Sequence, residues 1–261
     1  MEELAAPAPG TQVLRRAHDI LRLLARHQRD GVRVTDIATA LGLEPPTAHR
    51  LVQGLVQERM AVQDKSLRRY FLGPALYELG ISAGARFPLR DFVQPSVDRL
   101  ARATGDSAVV TIRSGLDGVC LEHRSGEFPI RTSFVTVGTR RPLAAGAGGL
   151  AILSCLADDE RRRLVAANAV QMEVDAGELA ARVDEARRVG HALNIYRRTT
   201  PPISAIGVPI MGAFGQCVVG ISVVALSMRL SGKRRSDVLG MLRDEAQEIG
   251  RQVSVETLPA A

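Results

Sequence analysis

Between residues 11 and 72 the apolar residues keep helical spacing through three successive segments, then switch to two short strand-like pieces around a basic turn. Few folds accommodate that order. Leu14, Ala17, Ile20, Leu21 and Leu24 form the first stripe, with Arg15, Arg16, Arg22 and Arg26 off it. This spacing predicts a helix ending near Gly31. The segment VTDIATALGL predicts a second helix, with Thr35 as N-cap, Asp36 in the first turn and Gly42 as the stop. A third helix is expected from Pro45-Pro46, since proline suits a first turn, and runs through Gln57. Met60–Gln63 and Arg69–Leu72 then read as a hairpin around Asp64-Lys65-Ser66.

The third helix is two-sided. Ala48, Leu51, Val52, Leu55 and Val56 cluster on one side of its wheel. Pro46, His49, Arg50, Gln53 and Gln57 occupy the other, with Thr47 and Gly54 at the edge. A helix held by an apolar back can place its free face in a major groove. There Arg50 suits guanine or a phosphate, Gln53 suits adenine, and Thr47 suits a phosphate or a thymine methyl. Lys65, Arg68 and Arg69 make the hairpin a basic wing for the adjacent backbone or minor groove. With Thr35, Pro46 and His49 these are the candidate DNA contacts. An ordinary amphipathic helix has a similar wheel; the succession helix, turn, helix, basic hairpin favours DNA.

The net charge of +6, with a pI near 9.9, permits a nucleic-acid partner without requiring one. Residues 1–75 carry 11 basic and 8 acidic side chains, so any DNA-attracting field there is local. Aromatics make up only 3% and tryptophan is absent, which argues against stacking on single strands. The expected partner is double-stranded operator DNA.

Residues 1–10 read as a disordered tail and not as a signal peptide. Residues 11–72 form the predicted DNA-binding domain, and Gly73-Pro74 opens a linker helix over 73–88. Residues 89–257 mix helices with hairpins as a second, α+β domain. Helices are expected over Leu89–Ala103, Gly149–Leu156, Glu178–Val189 and Leu239–Val253. Strands are expected over Ser107–Arg113, Gly118–Arg124, Ile206–Ile210 and Cys217–Leu226. That last run is the longest apolar stretch, at ten residues, short of the ~20 that a membrane helix needs. Cys120, Cys155 and Cys217 are far apart with no CxxC, which suits free thiols in the cytoplasm.

Signals for catalysis are weak. Gly146 to Ala151 fits a loose dinucleotide pattern, but Arg140-Arg141-Pro142 precedes it where a buried strand should stand. No GxSxG or HExxH occurs, and no two histidines stand four apart. The expectation is no enzyme activity, no cofactor and no metal. The competing reading is a metabolite-binding module or NAD-dependent enzyme that does not touch DNA. A different use fits Pro142–Leu153: small side chains leave room for a ligand, and a helix N-terminus favours a carboxylate. Close backbone packing explains the same residues.

Residues 11–81 resemble the winged helix-turn-helix of the IclR family of bacterial transcriptional regulators. The resemblance rests on Val13 to Leu21, Thr35-Asp36-Ile37-Ala38, Leu41-Gly42-Leu43, Thr47-Ala48-His49-Arg50-Leu51, Arg69 to Gly73 and Leu79-Gly80. The family usually has Ser where Pro46 stands. It continues more weakly through Gly138, Arg141-Pro142-Leu143, Gly149, Gly190, Pro209 and Gly220-Ile221-Ser222-Val223. The resemblance implies a GAF-like effector-binding domain with an antiparallel sheet, a dimer or dimer of dimers, and an effector-modulated regulator, expected to repress. It also implies a pocket drawing on Leu143, Ala144, Gly146, Ala147 and Gly149, on Asn194 where many members carry Asp, and on Ala205 where some carry Cys. Ser222 matches a family Ser, and Val224 replaces a second one. Those exchanges imply a less polar pocket and a larger or more apolar effector, such as an aromatic acid. Arg197 or Arg198 is a candidate carboxylate partner, against the alternative of a solvated loop charge.

Overall fold

Where apolar side chains recur every three to four residues the chain is helical, and where they alternate it is extended. The computed structural model describes residues 10–84, 88–130, 132, 135–196, 199–212 and 215–253. The residues read as an N-terminal tail up to 9, and Arg197 and Arg198, lie outside the described residues. Two compact units result, Met1–Arg86 and Phe87–Ala261.

The first unit contains α1 (Gln12–Arg26), α2 (Val34–Leu41), α3 (Pro45–Gln57), the hairpin β1 (Ala61–Asp64) and β2 (Arg69–Leu72), and α4 (Pro74–Gly84). Ile20 and Leu24 of α1, Ile37 and Ala38 of α2, and Ala48, Val52 and Leu55 of α3 share one core with Val32 and Tyr70. The α2–α3 turn closes at Gly42 (φ +59°), with the Leu43 amide donating to the Ala38 carbonyl (2.9 Å). That left-handed residue suits glycine.

Two boundaries in the first unit differ from the sequence reading, and in the second unit the last helix begins at Gly232, seven residues before the expected Leu239. α1 stops at Arg26, five residues before Gly31. Thr35 does not cap α2: the cap is Arg33, and the Thr35 hydroxyl donates to Asp36 Oδ1 (3.3 Å). The cause is tertiary. Val32 and Tyr70 exchange backbone hydrogen bonds of 3.0 and 2.8 Å, which hold the chain extended up to Arg33 and let the helix begin at Val34.

The second unit is built on an antiparallel sheet of β3 (Ser107–Ser114), β4 (Asp117–Arg124), β5 (Arg140–Pro142), β6 (Ala192–Tyr196), β7 (Ile203–Met211) and β8 (Cys217–Leu226). Its spatial order is β5-β4-β3-β8-β7-β6. α5 (Leu89–Thr104) and α9 (Gly232–Gln252) cover one face, where Val97, Leu100, Leu242 and Ile249 meet Val110, Ile206, Ile221 and Val223. On the other lie α6 (Ala147–Cys155), α7 (Asp158–Met172) and α8 (Ala176–Val189), with a core of their own around Leu150, Leu153, Leu164 and Val183. β6 has only a faint sequence signal: it is an edge strand whose outward residues Leu193 and Ile195 are exposed.

Candidate DNA-binding and effector sites

α3 buries Ala48, Val52 and Leu55 and leaves Pro46, His49, Arg50 and Gln57 exposed, with Thr47 half-buried. Arg50 has no hydrogen bond or ion pair among the described residues. Gln53 is otherwise placed: its Nε2 donates to the Tyr70 hydroxyl (3.1 Å), so one end of the amide is tied to the wing. At Gly54 a Cβ would meet nothing within 4 Å, leaving room for a close approach. In the wing, Asp64 Oδ1 accepts from the amides of Ser66 (2.9 Å) and Leu67 (3.0 Å) and from the Ser66 hydroxyl. These bonds, the Ser66 hydroxyl first, hold the Asp64 carboxyl below its ordinary pKa and shape the turn. Lys65 and Arg68 stand exposed at the tip, with no partner among the described residues. Arg69 is half-buried and donates to the Gly31 carbonyl (2.9 Å), fastening the wing to the chain after α1.

The Gln53–Tyr70 bond gives a stability prediction. Tyr70 is 3% exposed, so its hydroxyl has little access to water. Tyr70→Phe is expected to destabilise the first unit by about 1 kcal/mol, read as a lower urea midpoint at unchanged m-value. A midpoint equal to the parent's would mean that this bond adds nothing to the stability of the unit.

In the second unit a cavity of about 140 Å³ opens between the sheet and the first turn of α6. Val109 of β3, Ile203 and Ala205 of β7, Val224 of β8 and Ala147 of α6 supply apolar wall. Its hydroxyl groups are mostly engaged. Thr132 donates to the Val224 carbonyl (2.9 Å), Tyr196 to Ala145 (3.2 Å), Thr199 to Tyr196 (2.8 Å) and Ser222 to Val109 (3.3 Å). Two polar side chains remain, those of Thr111 and Arg141, neither in a side-chain hydrogen bond or ion pair among the described residues. Arg141 is half-buried.

A profile described as "Bacterial transcriptional regulator IclR C-terminal" matches residues 82–251, and one described as "IclR helix-turn-helix domain" matches residues 13–65. The chain belongs to the IclR family. It is a helix-turn-helix transcriptional regulator. HTH-type transcriptional regulator BhcR of Paracoccus denitrificans is 28% identical, over 98% of this chain and 90% of that one. An IclR family transcriptional regulator from Brucella abortus has the same fold, with a TM-score of 0.78 at 22% identity, covering 97% of this chain and 95% of that one. An IclR homologue from Microbacterium hydrocarbonoxydans, crystallised with 4-hydroxybenzoate, aligns with a TM-score of 0.69 at 19% identity, over 92% and 98% of the two chains.

Within this IclR fold the nine residues expected around an effector separate. Ala147, Ala205, Ser222 and Val224 line the cavity; the other five do not. Leu143 and Ala144 are fully buried in a 3-10 turn, packed with Leu150 and Leu153. Gly149 lies so near this turn that a Cβ would stand 1.8 Å from the Leu143 carbonyl oxygen. A Cβ at Gly146 would stand 2.6 Å from the Arg141 guanidinium. Close packing therefore explains much of the small-residue stretch. Asn194 donates to the Ala145 carbonyl (3.1 Å) and accepts from Arg182, tying β6 to the turn and to α8. Sequence reasoning missed Val109, Thr111, Thr132, Arg141, Tyr196, Thr199 and Ile203 as lining residues. The signal for Thr111 and Val109 is register, since Val109 pairs with Ser222 and Thr111 with Gly220. No described helix is long and apolar enough to cross a membrane, and no described group of three acidic, His or Cys side chains could hold a metal.

Proposed function

We propose that this IclR regulator binds a near-palindromic operator as a dimer or dimer of dimers, and that a small aromatic or similarly compact carboxylate acts as its effector. Two copies of α3 would enter major grooves roughly 34–36 Å apart, or a multiple of that. Arg50, His49, Thr47 and Pro46 face the bases, with Lys65 and Arg68 on the adjacent backbone. Thr35, Gln53 and Arg69 act nearer the scaffold, the last two through the internal bonds already described. Exposed Val13 and Leu14 on α1, and Tyr77, Leu79 and Ile81 on α4, supply apolar surface suited to a second copy. The protein works by binding and not by catalysis, without cofactor or metal, in the cytoplasm with the DNA it reads.

One observation carries the effector reading: the half-buried Arg141, whose side chain has no hydrogen bond or ion pair among the described residues, beside a largely apolar cavity. A partly desolvated cation gains most from an opposite charge in hydrogen-bonding reach. A cavity of about 150 Å³ accepts benzene in another protein, so 140 Å³ suits a single ring. The Thr111 hydroxyl suits a second polar substituent. The 4-hydroxybenzoate of the Microbacterium relative has this combination of one ring, one carboxylate and one hydroxyl. Such a ligand controls transcription only if it prefers one arrangement of the dimer over another.

Calorimetric titration with benzoate and with toluene tests the reading. Benzoate is expected to bind and toluene to bind far more weakly. Arg141→Met is expected to weaken benzoate by about 10- to 100-fold, the value of a charge-assisted bond. Equal benzoate affinity in parent and variant would falsify the role of Arg141.

A further inference from the structure

α6 crosses β8 at a pair of glycines. A Cβ at Gly220 would stand 2.1 Å from the Gly148 carbonyl oxygen, so helix and strand backbones touch there. From that crossing Cys155 lies about 10 Å along α6, at ~1.5 Å per residue from 148 to 155. Cys217 lies about 10 Å back along β8, at ~3.4 Å per residue from 220 to 217. The matched lengths place both cysteines at one end of the α6–β8 contact, where Cys217 Sγ donates to the Val219 carbonyl (3.8 Å), Cys155 Sγ lies 3.8 Å from the Ser154 hydroxyl, and each thiol shifts the other's pKa.

Strict alternation would prevent this meeting. Val219, Ile221 and Val223 face the α5–α9 core, while Ser222 and Val224 face the cavity. By parity Cys217 belongs with Val219. However, Ile210 pairs with Val219 and Met211 pairs with Cys217, so β8 carries one extra residue at 218. That bulge turns Cys217 to the opposite face, where it packs on the α6–α8 cluster. Both thiols are free and half-buried, within reach of a small oxidant, whereas Cys120 is buried.

We propose that Cys155 and Cys217 are a peroxide-sensitive thiol pair that closes to an intramolecular disulfide linking α6 to β8. Cys155 is the attacking sulfur. The neighbouring Cys217 thiol first, then the Ser154 hydroxyl and Arg187, lower its pKa to about 7 against the cost of burial. Cys217 is pushed up, first by the Cys155 sulfur and then by burial, and keeps its proton. The Cys155 thiolate breaks the O–O bond of hydrogen peroxide, taking one oxygen as sulfenic acid; the departing hydroxide becomes water with the proton that Cys155 released. The Cys217 sulfur then attacks that sulfur. An S–S bond forms, the S–O bond breaks, and hydroxide leaves as water with the Cys217 proton. Two thiols lose two electrons and two protons, and peroxide accepts them. The product fastens together two elements that wall the cavity.

The test uses the reduced full-length protein at pH 7.5, treated with equimolar hydrogen peroxide, alkylated under denaturing conditions, and digested without reductant. Mass spectrometry is expected to find the Cys155 and Cys217 peptides joined, about 2 Da below the sum of the two, with Cys120 alkylated. Cys217→Ser is expected to abolish the joined peptide and leave a Cys155 sulfenic acid that dimedone traps. Cys155→Ser is expected to slow thiol loss about tenfold. Three outcomes overturn the proposal: both thiols alkylated when Cys120 is already oxidised, Cys155 driven to sulfinic acid beside a free Cys217, or a crosslink only between chains.

Discussion

Arg50→Ala is expected to remove selective operator binding while leaving the fold and effector binding intact. Arg50 is exposed on α3 and bonded to no described residue, so its loss leaves nothing unpaired inside the domain. A bidentate contact to guanine is worth about 1–3 kcal/mol. A dimer loses the contact in both half-sites, about 2–6 kcal/mol, or roughly 30-fold to 10⁴-fold in affinity. Fluorescence anisotropy on operator and scrambled duplexes across a salt series measures this. If Arg50 reads a base, discrimination between the duplexes collapses and the salt slope stays near the parent's. If it holds a phosphate, both duplexes weaken together and the slope falls by about one per contact. A variant binding the operator as tightly as the parent would show that α3 does not read DNA through this residue.

Gly220→Ala is expected to cost about 3 kcal/mol, a large fraction of a domain's stability. The added Cβ would meet the Gly148 carbonyl oxygen at 2.1 Å and its carbon at 2.6 Å. Both are backbone atoms, so no rotamer change relieves the clash and α6 must lift from β8. Gly207 faces the same helix turn, with Ala147 backbone 2.8 Å from a Cβ there, and blocks a sideways shift. Thermal unfolding should show Tm lower by about 6–12 °C. Because the lifted turn carries Ala147 and Gly148, benzoate binding should weaken too. Gly240→Ala is the control: exposed on α9 with nothing within 4 Å of a Cβ, it should gain about 0.5–1 kcal/mol. Equal Tm for Gly220→Ala and the parent would mean that α6 sits less tightly on the sheet than described.

The DNA-binding unit was legible almost residue by residue. Its helices pack against near neighbours, so Ile20, Leu24, Ala48 and Val52 announce their burial by local period. What escaped were the roles of Gln53 and Arg69, whose partners are Tyr70 and the Gly31 carbonyl. A wheel shows which side a residue occupies, but not that the wing folds back to meet it. In the second unit the strongest strands, Ser107 to Ser114 and Cys217 to Leu226, stand out by hydropathy, whereas edge strand Ala192–Tyr196 does not.

By itself the sequence determined a third helix with an exposed Arg50 face, a basic wing and a following α+β domain, because periodicity and turn chemistry act within a few residues. It did not determine the cavity. That required β3 to pair with β8 across more than a hundred residues, bringing Val109 beside Ser222. It also required β5 to deliver Arg141 next to the α6 turn. The bulge at 218 decided which face Cys217 takes. Only tertiary structure settles such matters, since side-chain direction along a strand depends on a register set by a distant partner.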